Sequence, residues 1–107
     1  MSAETAEPIP VQIVEQCARL LEDQKRVRVS IGFSGASLDT TVSLELLSED
    51  QRVISSASIL GVLNNRVDFT LHTGKQAAEG ALVVSVQVTR KEGELLLQSI
   101  IPVETPV

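Results

Sequence analysis

The sequence predicts a mainly β protein, an antiparallel β-sandwich of about six strands preceded by one N-terminal helix. Three observations lead there. Leu82, Val84, Val86 and Val88 alternate with Ser85 and Gln87, the period of two that lines one face of a sheet. Turn-forming stretches such as Ser48-Glu49-Asp50-Gln51, Asn64-Asn65 and Lys91-Glu92-Gly93 separate short alternating runs along the chain. Ahead of all of these, Ile13, Cys17, Leu20 and Leu21 fall at helical spacing.

In chain order, residues 1–9 combine small, acidic and proline residues with little to bury and read as a flexible lead-in. Residues 10–103 then form one domain. Pro10 suits a first helical turn, and Glu15, Gln16, Arg19 and Glu22 occupy the face opposite the apolar stripe of a helix of about four turns. Alternatively, Val11 and Ile13 form one side of a short edge strand. Arg26 to Phe33 alternates cleanly, with Val27, Val29, Ile31 and Phe33 on the inner side. Val42, Leu44 and Leu46 mark a second strand, and Arg52 to Ile59 a third. These two are set to pair as a hairpin, whose serine-rich Ser55-Ser56-Ala57-Ser58 packs weakly and invites a bulge or an exposed edge. Val67, Phe69 and Leu71 mark a fourth strand. A polar loop from Thr73 to Glu79 leads into a long hairpin from Gly80 to Val103, and residues 104–107 read as a loose end. With the helix first and the strands after it, βαβ alternation is excluded.

Thr41 to Val88 resembles the strand pattern of immunoglobulin-like and fibronectin-type sandwich modules, without the Cys and Trp pair or the corner tyrosine of a true immunoglobulin domain. That resemblance implies a fold and no particular activity.

Composition narrows the partners. A chain of 107 residues with 43% hydrophobic and 21% charged residues is too apolar to be disordered, yet charges interrupt every apolar run before it reaches spanning length. A net charge of −5 repels phosphate backbones. Two Phe without Trp or Tyr leave almost nothing on which to stack bases or sugar rings, so nucleic acid and carbohydrate are disfavoured. The single Cys17 forms no intrachain disulfide, and the N-terminus shows no secretory signal, which together suit the cytoplasm.

Little in the chain points to catalysis. Cys17 is the only thiol and His72 the only imidazole, so a Cys-His pair must use both, and their spacing matches no zinc motif. On the helix reading Cys17 is a small buried hydrophobe, and His72 ends a strand as a solvated residue. Ser48-Glu49-Asp50 supplies too few oxygens for calcium, and Glu92 and Glu94 read as a soluble turn. Ile31-Gly32-Phe33-Ser34-Gly35 lacks the glycine spacing and lysine of a phosphate cradle. Neither catalytic residues nor cofactor or metal ligands are therefore assigned, and the chain is not expected to be an enzyme.

Two surface features remain. Lys25, Arg26 and Arg28 cluster in an acidic chain, either pairing with Glu45 or other sheet carboxylates across strands or docking an acidic partner. The run from Leu95 carries more aliphatic surface than one sheet face needs, with Leu96 and Ile100 on the side opposite Leu95 and Leu97. These features favour a non-catalytic interaction or assembly module that binds another chain, or itself as a homodimer, through a strand edge or an apolar sheet face. The alternative is a carrier holding an apolar small molecule between helix and sheet.

Overall fold

A computed structural model describes residues 10–74, 81–90 and 92–105. The expected lead-in, most of the loop before the last hairpin, Lys91 and the last two residues lie outside them. Seven strands form: β1 (Gln12–Leu20), β2 (Arg26–Ser34), β3 (Thr40–Leu47), β4 (Val53–Leu60), β5 (Arg66–His72), β6 (Val83–Arg90) and β7 (Leu95–Glu104). They make one sheet in the order β4-β3-β6-β7-β1-β2-β5. All ladders are antiparallel except the short parallel one between β1 and β7, made by Ala18 with Val103 and Arg19 with Glu104. The terminal strands β4 and β5 touch without a hydrogen-bonded ladder, so the sheet curls into a nearly closed barrel.

The sheet closes because each strand presents one apolar row to a shared interior. Val27, Val29 and Ile31 from β2, Val42, Leu44 and Leu46 from β3, and Val84, Val86 and Val88 from β6 are all fully buried. These β-branched and aliphatic rows suit a pleated surface buried on one side. At one end, the amide of Phe33 donates to the Asn65 carbonyl at 2.7 Å and that of Val62 to the Ser37 carbonyl at 3.0 Å, which ties the β2–β3 connection to the β4–β5 connection. Asn64 and Asn65 both take positive φ, the left-handed pair of a tight hairpin turn, as their sequence suggests.

The expectation of a helix followed by a six-stranded immunoglobulin-like sandwich is corrected in two respects. There is no helix among the described residues, and residues 12–20 are β1, the seventh strand. A bulge between Ile13 and Glu15 inserts one residue. Ile13, Gln16, Ala18 and Leu20 consequently lie opposite the inward Phe33, Ile31, Val29 and Val27. The resulting spacing of three, two and two imitates one face of a helix at its start. Cys17, expected on a buried stripe, instead points outward opposite Ser30 and is half-buried. The second correction is that the parallel β1–β7 ladder joins the two groups of strands into a single nearly closed sheet.

The remaining strands follow the alternation of the sequence. The β3–β4 hairpin carries a bulge at Ile54, opposite the step from Leu46 to Leu47, whereas the serine run Ser55–Ser58 where a bulge was expected pairs in regular register. A further bulge at Val88/Thr89 sets Thr89 opposite Leu95 and Val88 opposite Leu97. Leu96 and Leu97 therefore both pack against the core, and the aliphatic excess of β7 is largely absorbed there. No helix among the described residues is long and apolar enough to cross a membrane.

Four aspartates fix turns and strand edges, and they set the response to acid. The Lys25 backbone amide holds Asp23 below the ordinary value of 3.8, and the hydroxyls of Ser37, Ser48 and Ser30 do the same for Asp39, Asp50 and Asp68. Depressed folded values mean that the unfolded chain binds protons first as pH drops. The stabilisation from these groups is complete above the ordinary value and is lost as pH falls through the lower folded values. The urea midpoint is expected to change little between pH 7 and about pH 5 and to fall below about pH 4. A midpoint unchanged down to pH 2.5 contradicts this account.

Candidate functional site

The two terminal strands of the sheet are built differently. On β5, Arg66, Asp68 and His72 are charged or titratable and all exposed. Arg66 bonds Glu15 at 2.7 Å and Asp68 at 3.1 Å, and Asp68 accepts from the Ser30 hydroxyl at 2.7 Å. Gly32 lies opposite both Glu15 and Arg66, and the Glu15 side chain crosses directly over it, so a Cβ there would come within 2.8 Å of Glu15 Cγ. This polar belt dresses the outside of β1, β2 and β5.

By contrast, β4 carries no charged residue and no proline between Val53 and Leu60. Its backbone phase follows from one bond. The amide of Gly61 donates to the Thr40 carbonyl at 2.9 Å. In an antiparallel ladder the hydrogen-bonded pairs recur every second residue. Val42 with Ile59, Leu44 with Ala57 and Leu46 with Ser55 therefore share that phase. The amides and carbonyls of Ser56, Ser58 and Leu60 are aimed away from β3, toward the side where β5 touches β4 without a hydrogen-bonded ladder. The inner side is thinly covered as well, since Ser55, Ala57 and Ile59 are only half-buried whereas Val42, Leu44 and Leu46 beside them are fully buried. The Ser55 hydroxyl is itself enclosed without a hydrogen-bond partner.

Beside this edge, the outer face of β4, β3 and β6 forms a shallow groove of about 420 Å³. Ser43, Glu45, Ser56, Ser58, Ser85 and Gln87 line it, with the hydroxyls of Ser43 and Ser58 3.5 Å apart. Register places Ser58, Ser43, Gln87 and Gln98 in one row, and Ser56, Glu45, Ser85 and Ile100 in the next. The lining offers hydroxyl and amide groups for hydrogen bonds and one carboxylate. It includes no thiol, imidazole or amine to act as nucleophile or base.

The residues singled out from sequence are not gathered at one place. Lys25 ends the β1–β2 turn and Arg26 begins β2; Asp23 in the turn accepts from the Lys25 amide at 3.0 Å and pairs with Arg26 at 2.8 Å. Arg28 lies outward on β2, opposite Arg19 and Thr70. Glu45 is on β3, so neither arginine has it as a strand neighbour. On β7, Leu96 packs against the core, whereas Ile100 is exposed opposite Ser85. The wall expected for an apolar carrier is missing, because the residues assigned to its helix form β1. Sequence reasoning marked the β4 edge through its serines but missed the groove. The alternating Ser43 and Glu45, and Ser85 and Gln87, were visible, but only the register brings the two pairs side by side. No family model matches the chain, and no curated protein matches it.

Proposed function

We propose that the chain is a non-catalytic protein-interaction module whose open β4 edge takes up an extended strand from another chain. The observation that carries this reading is the contrast between the sheet's two terminal strands. Unpaired strand edges template further pairing, and proteins ordinarily guard them with charge, proline, bulges or a covering loop. β5 is guarded by Arg66, Asp68 and His72, whereas among the described residues β4 shows only a bulge at one end and offers Ser56, Ser58 and Leu60 as a hydrogen-bonding row without a ladder. Added strands gain affinity from main-chain bonds and specificity from alternate side chains. Here one set of those side chains meets the hydroxyl-lined groove, and the other meets the thinly covered Ala57 and Ile59.

Ser58→Pro tests the reading, because proline is tolerated on an edge strand where the lost amide faces solvent. Octapeptides selected from a displayed random library against the native chain are expected to bind Ser58→Pro at least tenfold more weakly, while both proteins keep similar thermal midpoints. Equal affinity for a folded Ser58→Pro excludes the β4 edge as the binding surface.

A further inference from the structure

We infer that the strand this edge accepts is β4 of a second copy of the chain, paired antiparallel about a twofold axis through Ala57. The inference rests on the β4-edge reading and adds the partner's identity and register. In a twofold pair that continues one sheet, opposed residues share a face. On β4 the free backbone groups belong to Ser56, Ser58 and Leu60. Centring on Ala57 sets Ser56 of each copy opposite Ser58 of the other, and both residues direct their amides and carbonyls across the junction. Two such pairs make four main-chain hydrogen bonds. On the inner side Ala57 meets its own counterpart, small against small.

The ends of the strand agree with this register. Val53-Ile54-Ser55-Ser56-Ala57-Ser58-Ile59-Leu60 is apolar at both ends and small in the middle, and centring on Ala57 sets Leu60 opposite Ile54 and Ile59 opposite Ser55. Leu60 is 82% exposed at one end and Val53 50% exposed at the other. Antiparallel self-pairing lays the Leu60 end of each copy against the Val53–Ile54 end of its mate, so exposed apolar groups at opposite ends cover one another. Centring on Ser56 or Ser58 instead leaves Leu60 beyond the pairing or opposite a serine.

Electrostatics permits the approach although each chain carries a net charge of −5. β4 itself is uncharged. The nearest groove carboxylate, Glu45, lies on β3, three strand spacings from its counterpart across the junction. At about 4.8 Å per strand that is about 14 Å, beyond the screening length of about 8 Å at physiological salt.

The test uses the full chain. Sedimentation equilibrium is expected to show a reversible dimer, with Ser58→Pro weakening association at least a hundredfold because the lost amide occurs twice per junction. A cysteine pair then reads the register. In a Cys17→Ser background, Ala57→Cys is expected to form an intermolecular disulfide under mild oxidation. Ala57 and its counterpart are a non-hydrogen-bonded pair with Cα atoms about 4.5 Å apart, within disulfide reach. Ser56→Cys is expected to stay reduced, since it lies about 9 Å from its own counterpart. A dimer that survives in a folded Ser58→Pro, or cross-linking at 56 and not at 57, overturns the inference. A chain that is monomeric at millimolar concentration but still binds library peptides at β4 overturns self-pairing and leaves the edge reading standing. A monomer that binds no peptide overturns both.

Discussion

Leu44→Ala is expected to destabilise the chain by about 3 kcal/mol, within the range of roughly 2–5 kcal/mol for truncating a buried leucine. Leu44 is fully buried at the middle of β3, between Ala57 on β4 and Val86 on β6. Both neighbouring strands are laddered to β3, and β-branched Val42 and Val88 stand close by with restricted χ1 freedom, so the surroundings collapse poorly into the space left. For a domain of this size the loss corresponds to a fall in thermal midpoint of roughly 12–24 °C. Leu60→Ala is the control. It removes the same atoms from a site 82% exposed, so in dilute solution its cost is expected to stay near 0.5 kcal/mol. Urea denaturation of both variants decides the matter, and a loss below about 1 kcal/mol for Leu44→Ala contradicts a packed interior at this position.

That contrast marks how far alternation alone could be read. Where a strand has one wet face and no irregularity, as in β2 and β6, polar and apolar residues alternate because the pleat sends neighbours to opposite sides, and the inner rows were legible residue by residue. The errors lie at bulges. One extra residue in β1 turned a strand into an apparent helix, and one in β7 turned Leu96 from an outward residue into a core residue. A bulge is chosen by pairing with a distant strand, so its position is not written in the local pattern. Gln16 illustrates the difficulty. It stands opposite the buried Ile31, yet it is itself exposed, at the seam with β7, where it accepts a hydrogen bond from the Ser99 hydroxyl at 2.9 Å.

The candidate site divides in the same way. The weak packing of Ser55, Ser56 and Ser58 was visible from residue size alone, and with it the suggestion of an edge. Which backbone groups are free could not be read, since that depends on the phase set by the Gly61–Thr40 bond. In the basic cluster, the pairing of Arg26 with Asp23, three residues away, was not read from the sequence. Local partners of this kind generally win, because little chain entropy is lost in bringing the charges together.

The end of the β4 edge is governed by Gly61, and Gly61→Ala is expected to destabilise the chain by about 2 kcal/mol. Two effects combine. Gly61 has φ of 87°, a backbone conformation that costs a residue with a Cβ roughly 1–2 kcal/mol. The added Cβ would also stand 3.3 Å from the Leu38 carbonyl oxygen, which is backbone and yields less readily than a side chain. Gly93→Ala separates the two effects, because Gly93 has φ of 92° but nothing within 4 Å of an added Cβ. Its expected cost is the conformational part alone, about 1 kcal/mol. Equal losses for the two variants would show that the Leu38 carbonyl moves freely. A larger loss at Gly61 shows that the β2–β3 connection is held against the end of β4, as the Gly61–Thr40 and Val62–Ser37 bonds require. The rigidity of that junction matters for binding. An incoming strand must meet Ser56, Ser58 and Leu60 in one fixed phase, and a β4 strand anchored at its end by Gly61 loses less freedom on pairing than a frayed one.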